Sequence, residues 1–590
     1  MCGIFGYIGN RNAPEIIHQG LKRLEYRGYD SWGISIIEKG KIKTVKDVGH
    51  IPSILQKELK SNIGIGHTRW ATHGGVTITN AHPHLCSDKR FVLAQNGIVE
   101  NYSNLKKDLE KKGFIFKTQV DTEVIVKLIE LNLRSKISLK ESLIKSFKQL
   151  EGRNTVILLD SKENKILAIR NGSPLILGVN KDEVFLASDP LAFNHCTQNI
   201  VEINNGELIE IDNGNYKIFD IKSKKEIKRK PKEEKLLNID IDKGGYDHYM
   251  LKEIVQQQHT ILNATSYSQK ELKPLIDRIK NSKNIYTIGA GTAAYAGDQV
   301  CYYLRNIAHR NAISIRSYET ESFLNVIDKN DIVIAFSQSG ETADTLEAIE
   351  ILKQKGVYIC SVINMPGSTL SRLSDIFFMS NAGSEICVAS TKVFTSQVSF
   401  GYLLSKSLIN EYSLAKKELV SLSTSLESYF NAILFKKVKD ISSKLKNKEH
   451  FFILGKGQNY HIAQEGALKI KEISYKHFEG FAAGELKHGV IALIERGTPV
   501  ISIISEDINS KDLISATYEV KARGALTIGI GDKQFEKEKS FDYFIPCADT
   551  NELKGIANVI PFQLISYYLA KALGNSIDKP RNLAKSVTVK

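Results

Sequence analysis

The sequence lacks several features that would place it in a class at once. None of its seven cysteines forms a Cys-x-x-Cys pair, which argues against a disulfide framework and against a cysteine-rich zinc site. No apolar run approaches the about 18 residues that span a bilayer. The first residues, MCGIFG, lack the basic stretch and long apolar core of a signal peptide. We therefore expect a cytoplasmic protein without membrane segments.

Nucleotide motifs are also scarce. A loop of the form GxxxxGK[ST] is absent, which argues against binding of a nucleoside triphosphate. Residues 289–294 (GAGTAA) follow a predicted strand and fit GxGxxA, which is compatible with a dinucleotide site. The same loop forms wherever a helix packs closely on a strand. Because the Ser-rich residues 337–342 (SQSGET) follow a nearby strand, we expect a sugar phosphate instead.

Positive charge is in excess, with a net charge of +14 at pH 7, and such an excess can indicate nucleic-acid binding. Much of it lies in residues 222–235 (KSKKEIKRKPKEEK), which hold eight basic and three acidic residues. No stripe of aromatic residues accompanies this segment. We interpret residues 221–245 as a solvated basic linker and expect no nucleic-acid partner.

The linker separates two kinds of sequence. Before it, short β-rich runs alternate with Gly and Asn turns. After it, strands, Gly-rich turns and long helices alternate, which is typical of a parallel sheet. This second part looks duplicated, because residues 284–294 and residues 450–457 each join a strand to a Gly-rich turn before a helix. The predicted domains are a β-rich one and two similar α/β ones, over residues 1–220, 246–425 and 426–590.

Chemistry in the first domain begins at Cys2. As an N-terminal residue it would supply both a thiol nucleophile and an α-amino base, the arrangement of N-terminal-nucleophile hydrolases. Arg69 can hold a carboxylate through two charged hydrogen bonds, and Asp121 can accept an α-ammonium group. Asn96 and Gly97 follow a predicted strand and offer a side-chain amide and a backbone N–H for an oxyanion hole. Together these residues predict an amino-acid site beside a nucleophile.

A metal site is the alternative for the histidines of this domain, His67, His73, His82 and His84. Histidine is a common zinc ligand, but no acidic or thiol partner occurs at a matching spacing. We therefore predict no metal here.

A second group of motifs lies after the linker. Residues 337–342 join a predicted strand to a helix, and hydroxyls with free backbone N–H groups at such a helix start form a phosphate site without a metal. Residues 465–472 (EGALKIKE) place two glutamates and a lysine on one helix face. A solvated salt bridge is the alternative for that face. A loop with His488 and a C-terminal tail with Lys585 favour a functional pocket.

These motifs, in this order, resemble a known family over nearly the whole chain. Six segments of the first domain resemble the class II glutamine amidotransferase domain. They are residues 2–6 (CGIFG), 24–31 (LEYRGYDS), 69–73 (RWATH), 80–84 (NAHPH), 96–97 (NG) and 121–123 (DTE). Five later segments resemble the sugar-isomerase domains of the glutamine–fructose-6-phosphate aminotransferase family. They are residues 337–342, 388–392 (VASTK), 465–472, 484–489 (GELKHG) and 581–589 (RNLAKSVTV). The resemblance implies an α/β multidomain fold, with an αββα N-terminal-nucleophile glutaminase domain followed by two tandem doubly wound sugar-isomerase domains.

The resemblance also implies roles at a glutamine site. Cys2 attacks the glutamine amide, and Asn96 with Gly97 stabilises the oxyanion. Trp70 lies at the mouth of the route by which ammonia leaves. The glutamate portion of the substrate is held by Arg69, Thr72, His73 and Asp121.

At the sugar site, the resemblance implies that Lys585 forms a Schiff base with C2 of fructose 6-phosphate. His488 assists ring opening from a neighbouring subunit of a homodimer, Lys469 contacts hydroxyls at the reacting end, and Glu472 moves a proton between C2 and C1. The products are glucosamine 6-phosphate and glutamate, and no metal, ATP or redox cofactor takes part. The sugar phosphate is held by Thr292, Ser337, Gln338, Ser339, Thr342 and Ser390.

Two departures and two rival functions remain open. Ala293 occupies a position where some relatives have Ser, so one hydroxyl contact to the sugar is in doubt. Trp32 either packs in the core or narrows the glutamine site. An amidophosphoribosyltransferase is disfavoured because a phosphoribosyl-type acidic loop is absent. A non-catalytic sugar-phosphate sensor would need none of Cys2, Glu472 and Lys585.

Overall fold

The computed structural model describes residues 2–55, 59–233, 242–550 and 552–587. The chain divides into two compact units, one made of residues 1–239 and 586–590 and the other of residues 240–585. No helix in the described ranges is long and apolar enough to cross a membrane.

Antiparallel strands dominate the first unit. Its strands are β1 (Gly3–Ile8), β2 (Ser31–Glu38), β3 (Lys41–Val48), β4 (Ile63–Arg69), β5 (His84–Leu85), β6 (Phe91–Gly97), β7 (Asn154–Asp160), β8 (Lys165–Asn171), β9 (Ile176–Asn180), β10 (Glu183–Ala187), β11 (Asn199–Glu202), β12 (Glu207–Asp212), β13 (Asn215–Asp220), β14 (Glu226–Ile227) and β15 (Lys232–Glu233). Its α-helices are α1 (Ala13–Leu24), α2 (Tyr102–Lys111), α3 (Thr122–Leu133) and α4 (Leu139–Phe147). Short 3-10 helices span Glu25–Arg27 and Pro190–Ala192.

These strands form two stacked sheets, in the orders β15-β11-β9-β10-β1-β4-β2-β3 and β14-β13-β12-β8-β7-β6-β5. Aliphatic side chains from both sheets, such as Ile65 and Ile157, fill the space between them. Helix α1 covers the outer face of the first sheet, and α3 and α4 cover the outer face of the second. Central strands such as β6 are apolar on both faces because both faces are covered. The predicted αββα arrangement is confirmed.

The second unit alternates strands and helices. Its strands are β16 (Ile285–Gly289), β17 (Ala312–Arg316), β18 (Ile332–Ser337), β19 (Tyr358–Ile363), β20 (Ile376–Met379), β21 (His450–Gly455), β22 (His477–Ala482), β23 (Pro499–Ile504), β24 (Leu526–Gly531) and β25 (Tyr543–Pro546). Its α-helices are α5 (Tyr249–Asn263), α6 (Gln269–Lys280), α7 (Thr292–Asn306), α8 (Ala343–Gln354), α9 (Thr369–Leu373), α10 (Lys392–Leu408), α11 (Tyr412–Tyr429), α12 (Ala432–Leu445), α13 (Gln458–Ser474), α14 (Ser510–Lys521), α15 (Lys554–Ala557) and α16 (Ile560–Leu573). Short 3-10 helices span Ser317–Phe323, Ala483–His488, Val490–Leu493 and Lys533–Lys537.

The second unit is built from two copies of one design. Its parallel sheets have the orders β17-β16-β18-β19-β20 and β22-β21-β23-β24-β25, which are equivalent along the chain. In each copy the first strand passes into a glycine that begins the next helix, with φ 55° and ψ −131° at Gly291 and φ 60° and ψ −130° at Gly457. Only glycine adopts this conformation without strain. The duplication predicted from the sequence is confirmed.

Secondary-structure elements lie at two of the predicted domain limits. Strands β14 and β15 lie inside the predicted basic linker and pair with β13 and β11 of the first unit. The predicted limit at residue 425 falls within α11, which packs on α5 and α10, whereas α12 packs on α16 of the second copy.

Candidate active sites

Cys2 precedes β1 and contacts the backbone that follows β4. Its thiol donates to the Trp70 carbonyl with an Sγ–O distance of 3.6 Å, and the Trp70 N–H approaches the sulfur at 3.4 Å. The side chain is partly exposed. Desolvation raises the pKa of the thiol, although nearby Arg69 acts in the opposite direction. Because the thiolate is the nucleophile, a thiol with a raised pKa needs a base to activate it.

The Arg69 guanidinium organises the loop beyond Trp70. It donates to the carbonyls of His73 at 2.6 Å, Gly74 at 3.2 Å and Gly75 at 3.2 Å. A guanidinium has five N–H donors, so these three contacts leave donors for a carboxylate ligand. Arg69 also lies within electrostatic reach of Cys2 and Asp121.

Asp121 immediately precedes α3 and is buried. Its Oδ2 atom accepts from the Val99 N–H at 2.8 Å. Burial raises the pKa of this carboxyl group, with the Val99 bond and His73 acting in the opposite direction. The structure therefore gathers Cys2, Arg69 and Asp121 at one site, whereas the Thr72 side chain is exposed on the loop.

Asn96 and Gly97 end strand β6. The Asn96 side chain is buried, and among the described residues neither atom of its amide makes a hydrogen bond of good geometry, although the amide interacts with the His67 ring. A buried amide without a well-formed hydrogen bond is unusual in a folded protein and indicates a group that can turn to a ligand. Gly97 has φ 124°, and a Cβ there would lie 2.0 Å from the Arg153 carbonyl oxygen. The backbone at this position therefore requires glycine.

A polar network behind this strand was not predicted from the sequence. The His67 ring stacks on His82 at 4.2 Å between centroids, and its Nε2 atom lies 3.0 Å from the Gln95 carbonyl oxygen. Burial lowers the pKa of His67 to about 3, so the ring is neutral. Within the described ranges, no three His, Cys, Asp or Glu residues are arranged to hold a metal ion. Trp32 packs in the core beneath α1, in agreement with the packing interpretation.

In the second unit, helices α7 and α13 bring four polar side chains together. Lys469 Nζ lies 2.6 Å from Glu472 Oε2 and 3.7 Å from Glu465 Oε1. Thr292 Oγ1 donates to Glu465 Oε1 at 3.3 Å. The Lys469 and Glu465 side chains are 1% and 0% exposed, which rules out a solvated salt bridge. The three charged residues share one helix face, as their spacing predicts.

Burial decides the charges in this cluster. It raises the pKa of Glu465 to about 8, with Lys469 acting against it and Glu472 reinforcing it. Burial would lower the pKa of Lys469, but Glu472 and Glu465 outweigh it and raise the value to about 12. At neutral pH, Lys469 is therefore charged and pairs with Glu472, while Glu465 is mainly protonated.

The Ser-rich loop joins β18 to the start of α8. Ser337 Oγ accepts from the Gly340 N–H at 2.9 Å, and Ser339 Oγ accepts from the Glu341 N–H at 3.1 Å. Gly340 has φ 65°, and a Cβ there would lie 2.1 Å from Ser368 Oγ. The loop is thus folded tightly around a helix N-terminus, a favourable place for an anion. The adjacent Gln338 is half-buried, and Thr342 begins the helix.

Lys585 lies in a buried ion pair that the sequence did not reveal. Its side chain is 4% exposed, and its Nζ lies 2.5 Å from Glu385 Oε2. It also donates to the Cys387 carbonyl at 2.7 Å. Ser390 Oγ donates to the same Glu385 oxygen at 2.8 Å. Glu385 lies three residues before the VASTK segment, so a glutamate beside that motif was the available signal.

His488 ends a short 3-10 helix and is exposed. No hydrogen bond or ion pair connects it to the other candidate residues within the described part of this chain. The ion pair of Lys585 and the cluster around Lys469 lie within electrostatic reach of each other, because Glu385 raises the pKa of Lys469.

Comparisons with known proteins agree with two kinds of domain. A family model described as a glutamine amidotransferase domain matches residues 67–195, and a SIS domain model matches residues 278–407 and 444–572. The C-terminal domain of glucosamine-fructose-6-phosphate aminotransferase from Francisella tularensis has a TM-score of 0.54 and 34% identity, covering 57% of this chain and 100% of that chain.

Two relatives that match this chain over its full length have the same name. Glutamine–fructose-6-phosphate aminotransferase (isomerizing) from Pyrococcus horikoshii is 40% identical over 599 residues, with 100% of both chains covered. The protein of that name from Aquifex aeolicus is 38% identical over 600 residues, also with 100% of both chains covered. The chain therefore belongs to the glutamine–fructose-6-phosphate aminotransferase family.

Proposed function

We propose that the protein transfers the amide nitrogen of glutamine to fructose 6-phosphate and isomerises the product to glucosamine 6-phosphate, releasing glutamate. Family membership over the full length of both chains is the observation that carries this proposal. Residues 1–220 supply the glutaminase, residues 221–245 a basic linker, and residues 246–425 and 426–590 the two sugar-isomerase domains.

In the glutaminase half, Cys2 Sγ attacks the glutamine amide after its own α-amino group, freed by removal of Met1, takes the thiol proton. The oxyanion is stabilised by the buried Asn96 amide and the Gly97 N–H. The glutamate portion is held by Arg69, Thr72, His73 and Asp121.

In the sugar half, the phosphate lies at the start of α8. Lys585 forms an imine with C2, ammonia replaces the lysine, and Glu472 moves a proton between C2 and C1. Glu472 suits this step because its side chain is 17% exposed while its partner Lys469 is buried, so one carboxylate faces the pocket. The residues that bind the sugar phosphate are Thr292, Ser337, Gln338, Ser339, Thr342 and Ser390.

The two halves cooperate through ammonia, which passes Trp70 on leaving the glutaminase. The enzyme acts as a cytoplasmic homodimer, and the exposed His488 of each chain assists ring opening in the neighbouring subunit. The reaction needs no metal, ATP or redox cofactor.

The test is an assay of purified protein with glutamine and fructose 6-phosphate, with glucosamine 6-phosphate detected by mass spectrometry. Wild-type protein should form it. Cys2→Ala should form none from glutamine and should keep sugar-phosphate isomerisation. The absence of amino sugar with the wild-type protein would refute the proposal.

A further inference from the structure

The contacts of Glu385 give it more than a packing role. Its side chain is fully buried, yet it faces the ammonium group of Lys585 at 2.5 Å. The other carboxylate oxygen accepts the backbone N–H groups of Thr391 at 2.9 Å and Val393 at 3.1 Å. These N–H groups belong to the start of α10, where a carboxylate is favoured. The carboxylate is therefore fixed in one orientation, with one oxygen toward Lys585.

Neighbouring charges keep the Glu385 carboxyl group ionised, so that it is the negatively charged partner of Lys585. Burial alone would raise the pKa of Glu385, but Lys585 and the two backbone N–H groups lower it. Glu253, on α5, behaves in the opposite way, since burial and the nearby Glu385 raise its pKa to about 8. One Glu253 oxygen accepts the N–H groups of Ile386 and Cys387. At neutral pH, Glu253 is mainly protonated and Glu385 is ionised.

Two further cations face this region. Lys392, on α10, donates to Gln256 at 2.9 Å and does not contact Glu385 directly. Lys469, on α13, is paired with Glu472 at 2.6 Å. Among the described residues, Lys585 is thus the cation that shares a hydrogen bond with Glu385.

We propose that Glu385 is the positioning residue through which Lys585 gains and loses its proton during imine formation, an inference that rests on the proposed function of Lys585. Glu385 accepts one proton from the Lys585 ammonium, and the neutral amine then forms an N–C bond to C2 while the carbonyl π bond breaks. One N–H proton of this addition product then passes to its alkoxide oxygen, which gives the neutral carbinolamine. Glu385 returns its proton to that hydroxyl, the C–O bond breaks, and water leaves. The iminium cation then replaces the ammonium beside the Glu385 carboxylate.

Trapping of the imine by borohydride tests this role. Wild-type protein is mixed with fructose 6-phosphate and borohydride, and the rate of adduct formation on Lys585 is followed by peptide mass spectrometry. Glu385→Gln should trap about 100-fold more slowly, because it cannot relay the proton. Binding of fructose 6-phosphate to that variant should stay within about threefold of wild type, because the phosphate loop is unchanged. Glu385→Asp keeps a carboxylate and should recover part of the rate.

Glu253→Gln is the matched control, because glutamine mimics the protonated form of that buried carboxyl group. It should trap within about threefold of the wild-type rate. The inference is overturned if Glu385→Gln traps at the wild-type rate, if it loses sugar binding in parallel, or if Glu253→Gln falls as far. A wild-type protein that binds the sugar phosphate but gives no adduct on Lys585 would instead refute the imine, and with it the proposed function of this lysine. Hydrogen exchange of peptides from β18 and β23 in each variant reports whether the second unit, which holds Glu385 and Glu253, is folded.

Discussion

Two neighbouring amides on strand β6 should respond in opposite ways to truncation. Asn96 is buried, and among the described residues its amide makes no hydrogen bond of good geometry, although it interacts with the His67 ring. Gln95 is equally buried, but its Nε2 atom donates to Asn154 Oδ1 at 2.6 Å and its Oε1 atom accepts from Thr122 Oγ1 at 2.5 Å. The first amide is kept for the oxyanion, whereas the second holds the fold together.

For Asn96→Ala we expect a large loss of activity without a loss of stability. Removal of one oxyanion-hole donor lowers kcat by about 10²–10³, which corresponds to about 2.7–4 kcal/mol of transition-state stabilisation. Deleting this amide also removes a buried polar group that lacks a well-formed hydrogen bond, a gain of about 1 kcal/mol. The small cavity left behind costs about 1 kcal/mol. The free energy of unfolding should therefore be unchanged or slightly raised.

Gln95→Ala is the control for this experiment. It leaves Asn154 and Thr122 without their buried partner, and the loss should be about 2–4 kcal/mol of stability. Glutamate release by the full chain, without sugar phosphate, measures the activity. Hydrogen exchange of peptides from β6 and β7 measures local stability, because a protein of two units does not unfold in one step. The reasoning fails if Asn96→Ala hydrolyses glutamine within about threefold of wild type, or if it destabilises β6 as much as Gln95→Ala.

Two further predictions concern Gly97 and Glu465. Gly97→Ala should abolish glutamine hydrolysis, because the new Cβ would lie 2.0 Å from the Arg153 carbonyl oxygen. The control is Gly113→Ala, which also lies at a positive φ of 80° but whose Cβ would meet no atom within 4 Å, and it should keep the activity. For Glu465, whose pKa burial raises to about 8, stability is fully present below the unfolded pKa and is lost as pH rises through 8. Between pH 5 and pH 8 the wild-type protein should therefore lose on the order of 3 kcal/mol more stability than Glu465→Gln. Melting curves of both proteins at the two pH values check this, and equal losses would contradict it.

Much of the architecture was predictable from local sequence. Strands buried on both faces read as continuous apolar runs, so the strands predicted within residues 284–294 and 450–457 are found as β16 and β21. The Gly-rich turns before α7 and α13 revealed the duplication, and Gly291 and Gly457 do occupy the same conformation, which only glycine adopts without strain. Strands β14 and β15 were missed because a charge-rich segment resembles solvated linker, although edge strands tolerate charge.

The candidate sites were predictable where a motif carries its own chemistry. Glu465 and Lys469 are spaced to share a helix face, and they do meet. Glu385 was missed because its importance depends on Lys585, 200 residues later in the chain. The nearby VASTK segment draws attention to Glu385, but no local pattern shows that Lys585 is its partner. The lack of a well-formed hydrogen bond at the Asn96 amide was equally invisible, since it depends on what surrounds the end of β6.

The central claim is that one chain takes nitrogen from glutamine and delivers it to a sugar phosphate. The most direct measurement uses glutamine labelled with ¹⁵N in its amide group, together with fructose 6-phosphate and excess unlabelled ammonium. Mass spectrometry of the products then follows the label. The account predicts glucosamine 6-phosphate that carries ¹⁵N, and none of the label in the amino sugar when Cys2 is replaced by alanine. Amino sugar without ¹⁵N from the wild-type protein, or no amino sugar, would contradict it.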